Sequence, residues 1–414
     1  MLGEDERKIT DDLAPDVKEI ETASETVVSE NAEAKEDQNA LVVVQNIEEA
    51  AETPKPKQET LPKYALICIG EYPIKVLTEG QLPGQKDDVQ LIFIDKSSEE
   101  IIKWSKDKIT NSDLVMGLDA NIETHFWFQI LPYLTQNEDF STRLKNKLLD
   151  NQFGILTLSS SWDGIGSALL PFLASRYKDW NANSVTTALL PSKLQPSEAH
   201  FNAMSSIGLV ASKEAATLVL IGRDHLNKYV GVDRKGAVMK GNALLNCLAD
   251  LTMAKKTFVD DLSQMSKSFG VKTFTIMAAT GASLKIYGSL ENILDSTLFR
   301  PLLSFDVSGV TLLYVLLRIP LQLKEKLSRD KIELEIANWF KDKAALKSIY
   351  VTEPLYVEDV SDRVDMIMFV GGFGLSSVFT SMEKKASTIK TEAVKQGSIK
   401  EEDWKEITKI LTSG

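Results

Sequence analysis

Residues Phe153-Gly154-Ile155-Leu156-Thr157-Leu158-Ser159-Ser160-Ser161-Trp162-Asp163-Gly164-Ile165-Gly166-Ser167-Ala168-Leu169-Leu170-Pro171 pass from an apolar run of strand length, through a turn of small residues, into a helical pattern. A strand that is apolar at successive rather than alternate positions has both faces covered, which is the habit of parallel sheets. Gly164 and Gly166 leave the start of the helix without side chains, and the backbone N–H groups of a helix start can hold phosphate. Close packing of the turn explains the same glycines, and the residues alone leave both readings open.

The same texture recurs on either side. Residues 64–69, 89–95, 185–190 and 216–222 are further continuous apolar runs, with helical patterns at 98–108, 165–177 and 197–207 between them. Strand and helix in succession predict an α/β domain with a doubly wound parallel sheet over residues 63–235. A long amphipathic helix is expected at 236–254, with Leu244, Leu245, Leu248 and Leu251 on its apolar face. Beyond it, strand-like runs at 274–279, 305–318, 349–357 and 364–370 mix irregularly with helices near 289–297 and 331–343. This predicts a smaller α+β domain over 255–375. Residues 376–414 read as a helical tail, with Met382, Ile389, Val394, Trp404, Ile407 and Ile410 as packing points.

The 414-residue chain has a net charge of −12, and the charge is unevenly placed. Residues 1–62 hold 17 Asp+Glu against 6 Lys+Arg, the remainder 42 against 41. A leader of this composition, poor in aromatics, buries too little apolar area to offset its chain entropy, and disorder is expected. Its run Ala40-Leu41-Val42-Val43-Val44 with Ile47 reads either as a docking motif for a partner protein or as a transient local structure. The acidic start differs from a signal peptide's basic one. A neutral body with an acidic leader argues against nucleic acid as a partner. The most apolar stretch, 310–323, is 14 residues long and interrupted by Arg318 and Pro320, short of the roughly 20 needed to span a bilayer. Cys68 and Cys247 sit in apolar runs and make no disulfide framework, and His125, His200 and His225 are far apart without cysteine partners. No metal site is expected, and a cytoplasmic location is.

Ligands of doubly wound sheets bind beyond the carboxyl ends of the strands. There the turns of this chain, taken in order, resemble the FtsZ/tubulin superfamily over about residues 63–375. The 162–171 stretch is similar to that family's glycine-rich signature loop, agreeing at Gly164, Gly166, Ser167 and Pro171 and departing at Trp162, Asp163, Ile165 and Ala168. Gly70 stands where the family's first phosphate-side turn lies. Gly117-Leu118-Asp119-Ala120-Asn121 resembles its third phosphate-side loop, and Asn202 a ribose-side asparagine. Leu218-Val219-Leu220-Ile221-Gly222-Arg223-Asp224 resembles the family's fifth strand and turn. Lys240-Gly241-Asn242 matches the segment whose amide contacts the guanine base, although an asparagine on the solvent face of the helix is an equal reading. Residues 301–310 and 364–373 are similar to the family's core segments, closer to FtsZ than to tubulin.

The resemblance implies GTP or GDP, with Mg, held by Gly70, Gly117, Asn121, Gly164, Gly166, Ser167, Asn202 and Asn242. It also implies head-to-tail filaments in cell division or cell shape, or co-assembly with an FtsZ-like relative. The acidic leader would recruit a protein partner. In the family an acidic loop of the next protomer completes the hydrolytic site. Here that stretch reads Lys255-Lys256-Thr257-Phe258-Val259-Asp260-Asp261-Leu262, with Asp261 at the second acidic position and Phe258 at the first. Asp260 and Asp261 are therefore the catalytic candidates, or else carboxylates favoured at a helix start. Trp162 and Asp163 add bulk and negative charge where a phosphate must approach, unless Asp163 holds a metal. Weak or absent GTP hydrolysis is the expectation, with a scaffold or adaptor that has lost nucleotide as the alternative.

Overall fold

A computed structural model of the protein describes residues 64–79, 89–105, 108–109, 114–148, 154–213 and 216–412. The acidic leader and its Leu41–Val44 run (residues 41–44) lie outside the described residues. The first half of the chain runs β1 (Tyr64–Ile69), α1 (Glu71–Glu79), β2 (Val89–Asp95), α2 (Ser98–Trp104), β3 (Val115–Gly117), α3 (Trp127–Gln136), α4 (Glu138–Leu148), β4 (Gly154–Ser160), α5 (Gly164–Asp179), β5 (Ser184–Leu190), α6 (Ser197–Ala211), β6 (Leu218–Gly222) and α7 (Arg223–Lys228). A short hairpin, β7 (Val230–Val232) and β8 (Val238–Lys240), leads into α8 (Gly241–Ala254) and α9 (Phe258–Phe269). Then come β9 (Thr273–Ser283), α10 (Leu284–Tyr287), α11 (Leu290–Leu298), β10 (Leu312–Pro320), α12 (Arg329–Phe340), β11 (Ser348–Val351), β12 (Leu355–Val357), β13 (Arg363–Gly371), α13 (Ser376–Lys395) and α14 (Glu401–Thr412).

Eleven strands form one sheet in the order β11-β10-β13-β9-β6-β5-β4-β1-β2-β3, with β12 also on β10. From β3 to β6 every pairing is parallel, whereas β13 runs antiparallel to both β9 and β10. The expected doubly wound half is visible in β1. Tyr64, Leu66 and Cys68 join a core shared with α1, α8 and α9, while Ala65, Ile67 and Ile69 join one shared with α3, α4 and α5. Two faces, each buried, account for the uninterrupted apolar run. The segments expected at 63–235 and 255–375 share the sheet, because β9 pairs with β6 through Leu218↔Thr273 and Val219↔Phe274.

Several boundaries differ from the sequence reading. The helix expected from residue 236 begins at Gly241, since residues 230–240 form the β7–β8 hairpin around a tight turn at Gly236 (φ +87°). The 98–108 helix ends at Trp104, capped by Ser105. The strand expected over 305–318 is β10 alone, entered by a 3-10 turn at Val307–Gly309 that the Asp306 carboxylate caps. The strand expected over 349–357 is two short ones, β11 and β12, with Pro354 between them. In the tail, Met382, Trp404 and Ile407 are buried, Ile389 is half-buried against the same core, and Val394 and Ile410 are half-buried. Among the described residues no helix is long and apolar enough to cross a membrane.

Candidate functional site

The loops after β1, β2, β4 and β6 meet at the carboxyl ends of their strands. Gly70 leaves β1 at φ +91°, and a β-carbon there would lie 2.2 Å from Ser160 Oγ and 2.9 Å from Asp163 Oδ2. The first turn therefore lies directly on the loop after β4. Gly164 and Gly166 are equally hemmed in: added β-carbons would sit 2.1 Å from the Thr124 carbonyl oxygen and 1.9 Å from that of Ser160. Such close backbone approach requires glycine whatever the site binds.

Asp163 is the N-cap of α5. Its Oδ1 accepts from Gly166 N at 2.6 Å, and its Oδ2 accepts from Ser160 Oγ. A carboxylate of the chain thus occupies the position at a helix start that favours an anion. Burial lifts the Asp163 carboxyl to about 6, opposed by the hydrogen bonds from Ser160 and Gly166. Asp95, at the end of β2 and 5% exposed, is pushed up to about 8 by burial and then by the Asp163 charge. At neutral pH Asp95 is therefore mostly protonated, and the Asp163 carboxylate is the charge that repels an added anion at this helix start. Among the described residues no group of three or more His, Cys, Asp or Glu could hold a metal ion.

At the start of α8, Tyr72 of α1 donates to Asn242 Oδ1 at 3.0 Å. Its ring lies 5.4 Å from that of Trp162, and the Arg223 guanidinium stands over both, at 4.7 Å and 5.0 Å. Two cation–π contacts and one hydrogen bond tie the loops after β1, β4 and β6 to α8. Asn202, 1% exposed, donates to the carbonyls of His125 and Trp162 at 3.0 and 3.3 Å and accepts from Trp127 N at 3.4 Å. It braces two loops. Ser167 is fully buried and donates to the Gly164 carbonyl. Gly117 ends β3, where its N–H donates to Ser98 Oγ, and Asn121 is exposed.

Asp260 and Asp261 lie elsewhere. They fall in the first turn of α9, whose N-cap is Thr257. Asp260 accepts from Asn183 Nδ2 at 2.9 Å, just before β5 begins, and burial holds its carboxyl above the ordinary range. Asp261 accepts from Thr257 Oγ1 at 2.7 Å and Tyr314 Oη at 3.3 Å. These are the amino ends of the strands, about 20 Å along β4 and β5 from the glycine turns. Within one chain the two carboxylates cannot reach that site.

No protein-family model matches the sequence, and no curated protein does. Solved structures do match. CetZ from Methanosaeta thermophila strain DSM 6194 superposes with a TM-score of 0.62 at 15% identity, over 84% of this chain and 97% of that one. An FtsZ dimer from M. jannaschii gives 0.57 at 16%, over 78% and 92%. The chain has the FtsZ/tubulin fold. CetZ2 from Haloferax volcanii, solved as a GTPγS-bound protofilament, gives 0.59 at 13%, over 80% and 99%. On the FtsZ/tubulin fold the residues of this chain do not fit a triphosphate as they stand, because the Asp163 carboxylate already occupies the start of α5. Tyr72, Arg223 and Asp95 were not singled out from the sequence. The available signal is an aromatic residue just after β1 and a cation just after β6, both at strand carboxyl ends.

The carboxyl pair sets a pH dependence. A carboxyl raised in the folded state favours the protonated form, so its contribution to stability is full below about 4 and is lost as pH rises through about 8. Asp95→Asn is expected to be more stable than the parent by roughly 2 kcal/mol at pH 8.5 and to lose that advantage by pH 4. Urea unfolding at the two pH values measures it. An advantage that does not change with pH would contradict this reading.

Proposed function

We propose that this chain is an assembly protein of the FtsZ/tubulin fold that self-associates head to tail without hydrolysing GTP. The observation that carries the reading is the Asp163 carboxylate on Gly166 N, where a phosphate would otherwise be received. The neighbouring CetZ2 structure, a protofilament, supports the assembly half of the reading. Asp260 and Asp261, at the far end of the strands, are placed to meet the opposite pole of a following copy. With the α5 start taken by the Asp163 carboxylate, they act there as contact residues. A role in cell shape or division follows from assembly, and co-assembly with an active relative is the same chemistry with a different partner.

Titration of a fluorescent GTP analogue into the full chain, with and without Mg, is expected to show no saturation below about 100 µM. Sedimentation and negative-stain electron microscopy are expected to show assemblies whether or not GTP is present. Low-micromolar binding competed by GTP and not ATP, with assembly dependent on GTP, would overturn the first half. A monomer under every condition would leave the alternative, a scaffold that has kept the fold and lost assembly.

A further inference from the structure

A wide cleft lies beyond the carboxyl ends of β5 and β6, between the loop after β5, α6, α7 and α13, and shares no lining residue with the Tyr72–Trp162–Arg223–Asn242 cluster. We propose that it is a binding site for a soluble phosphate monoester carrying an aromatic group.

The volume, about 910 Å³, is that of a small-molecule site. His200 of α6 lines it and is 3% exposed; the Gln195 carbonyl lies near one ring nitrogen, and no well-formed hydrogen bond satisfies the imidazole within the chain. A buried imidazole left without well-formed partners is costly, and native interiors rarely tolerate one. A ligand in the cleft supplies the missing partners. Burial, and then the Lys385 charge, depress His200, so that it presents one donor and one acceptor at neutral pH.

The charge of the lining points to the ligand's class. Lys193, Lys228, Arg300 and Lys385 face a single carboxylate, Asp224. Both Asp224 oxygens are already used, by Ser192 Oγ at 2.5 Å and Lys193 N at 2.8 Å. Arg300 and Lys385 are positioned by donating to the carbonyls of Val230 and Lys193. The remaining excess of about three positive charges suits a phosphate monoester, with nearly two negative charges at pH 7, better than a single carboxylate. At the rim Phe299, 83% exposed, offers a ring face to an aromatic substituent, and Leu303 and Met382 form apolar walls.

The test is titration of the full chain with 1-naphthyl phosphate, followed by calorimetry. Saturation is expected with a dissociation constant below about 100 µM, weakening as salt rises. Lys193→Ala and Lys228→Ala, both at exposed positions, are each expected to bind about tenfold more weakly. His200→Leu is expected to bind at least about tenfold more weakly without a lower melting temperature, since it removes a polar group without a well-formed partner. Failure to saturate by about 1 mM, unchanged affinity in the Lys193→Ala/Lys228→Ala double variant, or equal affinity for 1-naphthoate would overturn the proposal.

Discussion

Arg318→Met is expected to lower the free energy of unfolding by about 3–5 kcal/mol. Arg318 sits in β10, one of the most apolar stretches of the chain, with its side chain 19% exposed. Its Nε donates to Asp365 at 2.8 Å, across the β10–β13 pair, and its other arm reaches Asp250 of α8 at 2.7 Å. Asp365 is 1% exposed and also accepts from Gly281 N at 2.7 Å. Removing the guanidinium strands a buried carboxylate, and that penalty exceeds what the ion pair itself contributes. The double variant Arg318→Met/Asp365→Asn keeps the acceptor for Gly281 and removes the charge. It should recover most of the loss. Urea unfolding of the three proteins decides the matter, and a single variant as stable as the parent would refute it. The cost matters beyond stability, because this arginine ties α8, which carries Asn242, to the strands of the second half.

Trp404→Ala is expected to cost about 3–5 kcal/mol as well, and to free the end of the chain. Trp404 of α14 is 4% exposed and stacks on Phe201 of α6, with centroids 5.4 Å apart and planes at 2°. Ile407, one turn on, closes over Gly208 of the same helix, where an added β-carbon would come within 2.6 Å of its Cγ2. Tail and body are thus keyed together by one large residue and one missing one. Limited proteolysis should cut the Ala variant between α13 and α14 while the core persists. Resistance equal to that of the parent would show that α13 alone holds the tail.

The five long buried strands were legible because being covered on both faces leaves an unbroken apolar run, as in Tyr64–Ile69 and Leu218–Gly222. The succession of strand and helix then yields the doubly wound half. What escaped is short or locally ambiguous. β3 has three residues, too few for any periodicity, and α3 and α4 were passed over although α3 is strongly apolar. β8 falls inside the expected helix because Val238 and Met239 continue its apolar pattern, and β7, like β3, has only three residues. At the site, the sequence puts Trp162 in a strand-end turn and Asn242 on the long helix but does not show that Tyr72, 170 residues from Asn242, donates to its oxygen. Nor could it show that Asp163 turns back onto Gly166. Histidines 200 and 225 read as isolated, yet α6 and α7 bring both to one cleft. Long-range pairing of side chains depends on packing, which single-sequence patterns do not encode.

The junction of β6 with β9 bears on how the chain responds to force. Only Leu218↔Thr273 and Val219↔Phe274 are paired there. Further along, the strands diverge and Leu302 is wedged between them, accepting from Gly222 N at 2.7 Å and donating to the Ile276 carbonyl at 2.8 Å. Two rungs and a wedge carry fewer strand-to-strand hydrogen bonds to resist shear than the longer ladder between β4 and β5. Along this line the two halves are held less by strand pairing than by the apolar cores that continue across it on both faces of the sheet.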